Sequence, residues 1–241
     1  MTGALPSVDR IHAVIQATWP AMDQWEQGGW IIRNGAGAGR RVSAASLAGH
    51  DLGNIAVAEA QMQHLGQAKL FQIRQAGDAL DTALAARGYT AHCVTNIYAC
   101  DIDILRAQSP EIAQSFAIWE PVAVMREIWA AGGINAARLA CMQRCTAPKT
   151  AILARTGDSP AGVGFVAVDG DCAMIHAVEV RDQHRRKGVA GKIMCHAAHW
   201  AADNGAKYMT LVTTAENKPA NTLYRKLGMA MIGQYHYRIQ D

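Results

Sequence analysis

The chain has 241 residues, half of them hydrophobic, a size that allows one large domain or two small ones. A formal net charge of +3, with the basic residues mostly dispersed, argues against a nucleic-acid partner. No run approaches the roughly 20 apolar residues of a membrane helix, the start lacks a signal-peptide pattern, and the six cysteines show no paired spacing. We therefore expect a cytoplasmic protein with reduced thiols and no membrane association.

The first elements predict a helix followed by a hairpin. Residues 7–28 alternate apolar and polar side chains at helical spacing, 29–33 predict a strand, 34–39 a glycine-rich loop and 40–43 a returning strand. The glycine run is also compatible with a dinucleotide-binding turn. No helical pattern follows it directly, and Asn-Gly between two strands is typical of a hairpin, which we favour.

The remaining elements predict a mixed sheet. The rest of the first half predicts helices and strands in alternation, at 54–66, 70–73, 78–87 and 91–99. A polar connection, which includes Ser109-Pro110, is expected over 104–118. The second half predicts helices at 119–130, 134–146, 188–204 and 218–227, and strands at 150–156, 162–168, 172–181, 207–213 and 230–239. Because the earlier strands of this half form hairpins and the later ones alternate with helices, the sheet should combine both pairings.

Residues 176–191 contain an anion-binding pattern. An apolar, β-branched strand ends in Arg185-Arg186-Lys187-Gly188 and leads directly into an apolar helix. Such a turn directs several free backbone N–H groups at one point, where the helix dipole adds partial positive charge. Small residues at the turn allow a phosphate to approach the backbone. The pattern predicts a pyrophosphate site, although a solvated run of charge is the alternative.

Two motifs in this region resemble the GNAT superfamily of acyl-CoA-dependent N-acetyltransferases. Residues 185–190 are similar to its Arg/Gln-x-x-Gly-x-Gly/Ala signature. After a predicted strand, residues 217–229 are similar to its Asn-x-x-Ala-x-x-Leu-Tyr-x-x-x-Gly-Phe motif, with Met229 in place of the phenylalanine. The resemblance implies an α/β (α+β) fold with a mixed, mostly antiparallel central sheet flanked by helices.

The same resemblance implies the reaction. We expect an N-acetyltransferase that moves an acetyl group from acetyl-CoA to a primary amine, on a small molecule or a peptide, by direct attack in a ternary complex. It implies no metal, and the protein should be a monomer or a homodimer. A non-catalytic acyl-CoA-binding regulatory module is the alternative function, and the sequence leaves the identity of the amine open.

The order of elements suggests two similar halves. Strand, strand, helix, strand, helix and strand occur in both, and residues 84–89 resemble 224–229. The cofactor signature has no counterpart before the helix at 54–66. We therefore expect two tandem lobes, a degenerate GNAT-like lobe over 1–105 and the acyl-CoA-binding catalytic lobe over 106–241. An unrelated α/β cap in the first half is the alternative.

The candidate cofactor-binding residues follow from the turn and from the resemblance. Those at the turn are Arg185, Arg186, Lys187, Gly188, Val189, Ala190 and Gly191, mostly through their backbone N–H groups. The resemblance implies that Val178 and Val180, on the preceding strand, hold the pantetheine arm through backbone groups. Asn217 is expected either to bond the cofactor or the strand end, or to cap the following helix.

Three side chains are candidates for the chemistry. The resemblance implies that Tyr224 donates a proton to the departing thiolate, although it could simply pack the helix on the sheet. Glu179, a carboxylate in an apolar strand, is our first candidate for the base, and His176 is the second. Strict alternation places these two on opposite faces of the strand, whereas a β-bulge would bring them to the same face.

Other reactive side chains have simpler explanations. His196 with His199, and Cys141 with Cys145, have helical spacing, but two ligands alone are weak evidence for a metal. Buried cysteines are usually part of a core. The aromatic run 235–238 could line an acceptor pocket or form an ordinary closing strand.

Overall fold

The computed structural model describes residues 4–49, 51–108 and 114–240. The helices are α1 Val8–Thr18, α2 Ile55–His64, α3 Ala79–Ala86, α4 Ile102–Arg106, α5 Ala123–Ala131, α6 Ala136–Arg144, α7 Val189–Asp203 and α8 Lys218–Lys226. The strands are β1 Asp23–Gln27, β2 Trp30–Asn34, β3 Ser46–Leu47, β4 Lys69–Ile73, β5 Thr90–Asp101, β6 Ser115–Ile118, β7 Lys149–Thr156, β8 Ser159–Asp169, β9 Cys172–Val180, β10 Tyr208–Thr214 and β11 Ala230–Gln240.

Eight of these strands form one sheet in the order β4-β11-β5-β10-β9-β8-β7-β6. All of its neighbouring strands pair antiparallel except β9 and β10, which are parallel. The mixed, mostly antiparallel sheet flanked by helices is thus confirmed. β4 and β5 come from the first half of the chain yet pair with β11 and β10. The division at residues 105 and 106, which falls within α4, stays a prediction.

Helices cover both faces of the large sheet. α4, α7 and α8 contribute to a core on one face, and α1, α5 and α6 contribute to cores on the other. α7 packs so closely on β8 that a Cβ atom on Gly162 would lie only 2.9 Å from Val189. At the far end of the sheet, α2 and α3 form a further core with β4 and with the small sheet β1-β2-β3.

The prediction of a helix over 7–28 is wrong in its second half. α1 ends at Thr18, and β1 pairs antiparallel with β2. Pro20 explains the end, because proline lacks the N–H of a helical hydrogen bond and disfavours helical geometry at the residue before it. Ser7 caps the beginning, where its side chain accepts a hydrogen bond from the backbone N–H of Arg10 at 3.2 Å.

The prediction of a returning strand at 40–43 is also wrong. Residues Arg40–Val42 form a 3₁₀ turn, and the strand that returns is the shorter β3. Gly39 has a φ of 100°, which side chains with a Cβ atom rarely adopt, and the N–H of Val42 bonds to its carbonyl at 3.2 Å. The turn therefore directs Arg40 and Arg41 away from the small sheet.

The connection predicted over 104–118 contains regular structure. It includes the end of α4 and the edge strand β6, which pairs with β7 through Ile118 and Ala151. Ser109-Pro110 lie outside the described residues. No helix within the described ranges is long and apolar enough to cross a membrane.

Candidate active site

The two parallel strands at the centre of the sheet diverge. β9 and β10 pair only from Cys172 and Tyr208 to Met174 and Thr210, although both strands continue for several residues. On its other side, β9 stays paired with β8 as far as Val180, which lies opposite Gly162. The edge of β9 that faces β10 is therefore open over its last six residues, 175–180, and its backbone groups there can bond a ligand.

α7 begins beside this opening with uncapped amides. Its N-cap, Gly188, has a φ of 77° and provides no side-chain cap, and the first intrahelical bond runs from the Lys192 N–H to the Gly188 carbonyl. The amides of Val189, Ala190 and Gly191 precede that bond. A Cβ atom at Gly188 or Gly191 would meet nothing within 4 Å. This helix end fits a phosphate group better than a capped one would.

The basic residues of the turn are exposed, and one of them already has a partner. Arg185 lies 2.8 Å from the Asp182 carboxylate, and its Nε donates to the Val180 carbonyl at 3.4 Å. Arg186 has a φ of 61°, and Lys187 follows it at the surface. The backbone amides at the start of α7 are therefore held more rigidly than the exposed basic side chains, as expected for an anion site built from amides.

A β-bulge lies in β9 between the two candidate bases. Glu179 pairs with Val163 and His176 pairs with Phe165, so two residues of β9 lie opposite Gly164 alone. Ala177, one of these two, has a φ of 49° and its carbonyl accepts a hydrogen bond from the indole N–H of Trp129 at 2.8 Å. The extra residue shifts the alternation by one and places both candidate bases on the α5 face.

Glu179 is half-buried against the end of α5. A Cβ atom on Gly132 would lie 2.5 Å from its carboxyl carbon, so the missing side chain of this glycine makes room for the carboxylate. Burial raises the pKa of Glu179 above its usual value, and the positive charges of Arg185 and Arg138 oppose that shift. A carboxylate with a raised pKa is a better proton acceptor than an exposed one.

His176 is fully enclosed and both of its ring nitrogens are engaged. Arg41 Nη1 lies 3.0 Å from Nδ1, and Thr18 Oγ1 lies 2.9 Å from Nε2. Because arginine can only donate, Nδ1 accepts, and the Nε2 proton is donated to Thr18. Burial, followed by the charge of Arg41, lowers the pKa of His176 well below its usual value. The imidazole is neutral here and its one lone pair is already used.

Tyr224 packs in the core on the α7 face and also interacts with Glu179. Its ring lies against Tyr98 with 5.9 Å between centroids, which fits the packing alternative. Burial, together with the negative charge of Glu179, raises the pKa of Tyr224 to about 12. The hydroxyl has no hydrogen-bond partner among the described residues. It is therefore a protonated donor that remains available to a ligand.

Asn217 shows the capping geometry. Its side-chain oxygen accepts a hydrogen bond from the Ala220 N–H at 3.2 Å, at the start of α8. Its role toward a cofactor stays a prediction. The sequence did not single out Asn221, which accepts from Tyr98 and Asn96 and donates to the Thr214 carbonyl. This buried amide fixes α8, and with it Tyr224, to the middle of β5 and the end of β10.

A cavity of about 320 Å³ lies on the face of the sheet opposite α7 and Tyr224. It is bounded by the β9 bulge and by the ends of β5, β10 and β11, and closed by Trp19 and by the loop before Arg40. Tyr235 and Tyr237 line it, whereas His236 and Arg238 bind Asp81 on the other side of β11. We call it the central cavity. Its position next to the diverging strands suits an acceptor substrate.

Two more of the candidate reactive side chains, His196 and Cys141, have structural partners. His196 Nδ1 lies 2.7 Å from Ser115 Oγ, and Cys141 accepts from Arg144 at 3.1 Å within its own helix. Within the described residues, no group of three or more His, Cys, Asp and Glu side chains is placed to hold a metal ion. The six cysteines are free thiols, and all but Cys93 are buried.

Comparison with known proteins finds acetyltransferases among the proteins similar to this chain. Residues 119–229 match the model of the acetyltransferase (GNAT) family, a segment that contains the turn at Gly188, Glu179 and Tyr224. The matched segment is just under half of the chain, and over it the chain is similar to the GNAT family of acetyltransferases. It is also 27% identical over 252 residues to the uncharacterized N-acetyltransferase YobR of Bacillus subtilis (strain 168), covering 98% of this chain and 100% of that protein.

Solved structures extend the likeness to the whole chain. A GCN5-related N-acetyltransferase from Kribbella flavida has a TM-score of 0.74 at 18% identity and covers 97% of this chain and 96% of its own. A tandem GNAT protein from the clavulanic acid biosynthesis pathway has a TM-score of 0.59 at 13% identity, and the match covers 99% of this chain and 89% of that protein. These two likenesses concern the fold, and they include the part of the chain that precedes the family match.

Proposed function

We propose that the protein is a GNAT-type acetyltransferase that moves an acetyl group from acetyl-CoA to a primary amine by direct attack in a ternary complex. The observation that carries the proposal is the opening between β9 and β10, with uncapped helix amides at one side and the central cavity at the other. Acetyl-CoA would supply the activated acetyl group as a thioester. Its pyrophosphate fits the amides of Val189 to Gly191, and its pantetheine arm fits the open edge at Val178 and Val180.

The side chains around the opening suit the proton transfers. Glu179 would take a proton from the substrate ammonium, directly or through water, because only the neutral amine is a nucleophile. Tyr224 would donate its phenolic proton to the departing thiolate, and its raised pKa keeps that proton in place at neutral pH. His176 is less suited to be the base, because Arg41 occupies its lone pair.

The cofactor site can be tested with two matched variants at the two ends of α7. Gly188 and Gly205 both have a positive φ and open space around a Cβ atom, but only Gly188 lies at the amide end. We expect Gly188→Asp to weaken acetyl-CoA binding about fivefold or more in calorimetry, because two charges about 4 Å apart repel by about 1 kcal/mol even in water. Gly205→Asp should bind as the wild type does. Equal affinity of both folded variants would reject this site.

Turnover separates the enzyme from the alternative of a regulatory module. Free thiol released from acetyl-CoA in the presence of a panel of amines reports transfer. Tyr224→Phe should lower kcat by about 10- to 100-fold and leave the affinity for acetyl-CoA unchanged, since the lost proton is needed only as the thiolate departs. Tight acetyl-CoA binding with no thiol release for any amine would favour the regulatory module.

A further inference from the structure

The wall of the central cavity carries positive charge without compensating negative charge. Arg40, Arg41 and Arg138 line it, and no Asp or Glu of the described chain does. Arg40 and Arg41 come from the 3₁₀ turn after Gly39, and Arg138 comes from α6. The 3₁₀ turn and α6 are in contact at this point: a Cβ atom on Gly39 would lie 3.3 Å from Arg138 Nη2.

The partners of these three guanidinium groups are neutral. Arg40 donates to Cys93 Sγ at 3.2 Å, Arg41 to His176 at 3.0 Å, and Arg138 to the Gly133 carbonyl at 3.4 Å. No carboxylate of the described residues lies within ion-pair distance of any of them. Elsewhere, Arg10, Arg155 and Arg238 have carboxylate partners at 2.6 Å, 2.8 Å and 2.7 Å respectively.

Three guanidinium groups around one small cavity raise its electrostatic potential, which favours an anionic ligand and opposes a purely cationic one. Each guanidinium has five N–H donors in a planar fork that matches the oxygens of a carboxylate or a phosphate, and most of these donors remain unused. Arg41 is held by His176 and by the face of Trp19, 5.9 Å from the ring centre. Arg40 and Arg138 are thus the two that can turn toward a ligand.

We propose that the amine acceptor also carries an anionic group, a carboxylate or a phosphate, which Arg40 and Arg138 bind in the central cavity. The inference rests on the proposed acetyl transfer and specifies its acceptor class. The cavity volume, about 320 Å³, suits a molecule of amino-acid size. The aromatic and aliphatic wall formed by Trp19, Ile134 and Tyr235 suits an apolar side chain on that molecule.

The same arrangement would orient the amine. Arg138 lines the cavity and its charge acts on Glu179, so the anion site lies near the proposed base. An acceptor whose anionic group binds to Arg138 would place its ammonium group, at the other end, toward Glu179. The two opposite charges of one molecule thereby meet complementary charges in the site, which gives both affinity and orientation.

The test compares amines that differ only in the anionic group. Phenylalanine is compared with phenylalanine amide and phenethylamine, and phosphoethanolamine with ethanolamine. Thiol release from acetyl-CoA gives kcat/KM, expressed per concentration of free amine because the anionic group changes the ammonium pKa. We expect the anionic member of a set to be preferred by about 10- to 100-fold, the effect of a charge-assisted hydrogen bond. The two sets distinguish a carboxylate from a phosphate.

Arg40→Gln and Arg138→Gln should each remove most of that preference. We expect the ratio of kcat/KM between the anionic member and its uncharged or cationic counterpart to fall about tenfold, with an unchanged affinity for acetyl-CoA. The ratio cancels the effect that loss of the Arg138 charge has on Glu179. Arg155→Gln is the matched control, because Arg155 lies at the β7–β8 turn, paired with Asp158. It should leave the preference intact. Equal use of all amines, or a preference that both cavity variants retain, would overturn the inference.

A binding measurement keeps the inference testable even without turnover. Products need no chemistry to bind, so N-acetylphenylalanine and N-acetylphenethylamine can be titrated calorimetrically, with N-acetylphosphoethanolamine as the phosphate arm. An anionic product that binds to the wild type but not to Arg138→Gln supports the anion site, even if no amine releases thiol and the proposed function fails. Absence of binding by both anionic products, in a protein that transfers acetyl groups to neutral or cationic amines, would overturn the anion site alone.

Discussion

His176 and Glu179 lie three residues apart on one strand, and their surroundings affect them in opposite ways. Burial raises the pKa of Glu179 and lowers that of His176, so each is shifted toward its neutral form. For the carboxyl group of Glu179, the shift makes the carboxylate a stronger proton acceptor. The lone pair of the His176 imidazole already accepts a hydrogen bond from Arg41, so the ring cannot also accept a proton from a substrate. Environment, more than residue type, therefore determines which of the two can accept a proton.

The largest expected effect comes from removing the carboxylate. Glu179→Gln keeps the size of the side chain but cannot accept a proton, so we expect kcat to fall by about 10²- to 10⁴-fold. Affinity for acetyl-CoA should not change, because the carboxylate lies on the opposite face from α7. Steady-state thiol release and calorimetry measure the two quantities. A decrease of less than about tenfold would mean that another group is the base.

A smaller effect is expected from displacing the carboxylate without removing it. Gly132→Ala places a methyl group 2.5 Å from the carboxyl carbon of Glu179, which is the end of a flexible side chain and can move. We expect kcat to fall about tenfold, with a loss of stability of about 1 kcal/mol. Gly49→Ala, which adds the same methyl where nothing lies within 4 Å, is the control. Comparable kcat values for the two variants would show that the position of the carboxylate is not critical.

The smallest effect on activity is expected from replacing His176, which should mainly lower the stability of the folded protein. His176→Gln loses a ring packed between Trp19 and Phe165, and we expect the free energy of unfolding to fall by about 1–3 kcal/mol at pH 7.5. We expect kcat to fall by less than tenfold, much less than for Glu179→Gln.

The pH dependence of this stability has a definite sign. The pKa of His176 is lower in the folded than in the unfolded state, so its contribution is present above about pH 6.5 and is lost as the pH falls. The difference in unfolding free energy between wild type and His176→Gln should therefore shrink from about pH 7.5 to about pH 5.5 in urea denaturation. A difference that grows on acidification would show that the imidazole is charged in the folded protein.

Local patterns predicted the parts of the site that depend on neighbours in sequence. The turn at Gly188 and the motif that contains Tyr224 are each formed by consecutive residues, and the structure shows the strand, turn and helix expected there. Most element boundaries in the second half also agree, because hydrophobic periodicity determines them. The error over 7–28 arose because the helical spacing outweighed Pro20.

Parts of the site that depend on distant contacts could not be predicted. The β9 bulge contains no glycine, and Trp129 from α5 holds it in place by bonding the Ala177 carbonyl. Arg41 and Thr18 reach His176 from 135 and 158 residues away in sequence. Gly132 makes room for Glu179, a role that a single sequence does not reveal. The Arg40-Arg41 pair after a glycine run was the one available signal for the charge of the cavity.

The most direct test of the account is the pH dependence of kcat/KM for wild type, Glu179→Gln and His176→Gln, measured with one amine between about pH 5 and about pH 8. Ratios between proteins at each pH cancel the titration of the amine. We expect the wild-type rate to fall in acid as Glu179 becomes protonated, and His176→Gln to keep this acidic limb. The advantage of wild type over Glu179→Gln should decrease on acidification. An acidic limb that persists in Glu179→Gln and disappears in His176→Gln would contradict these expectations.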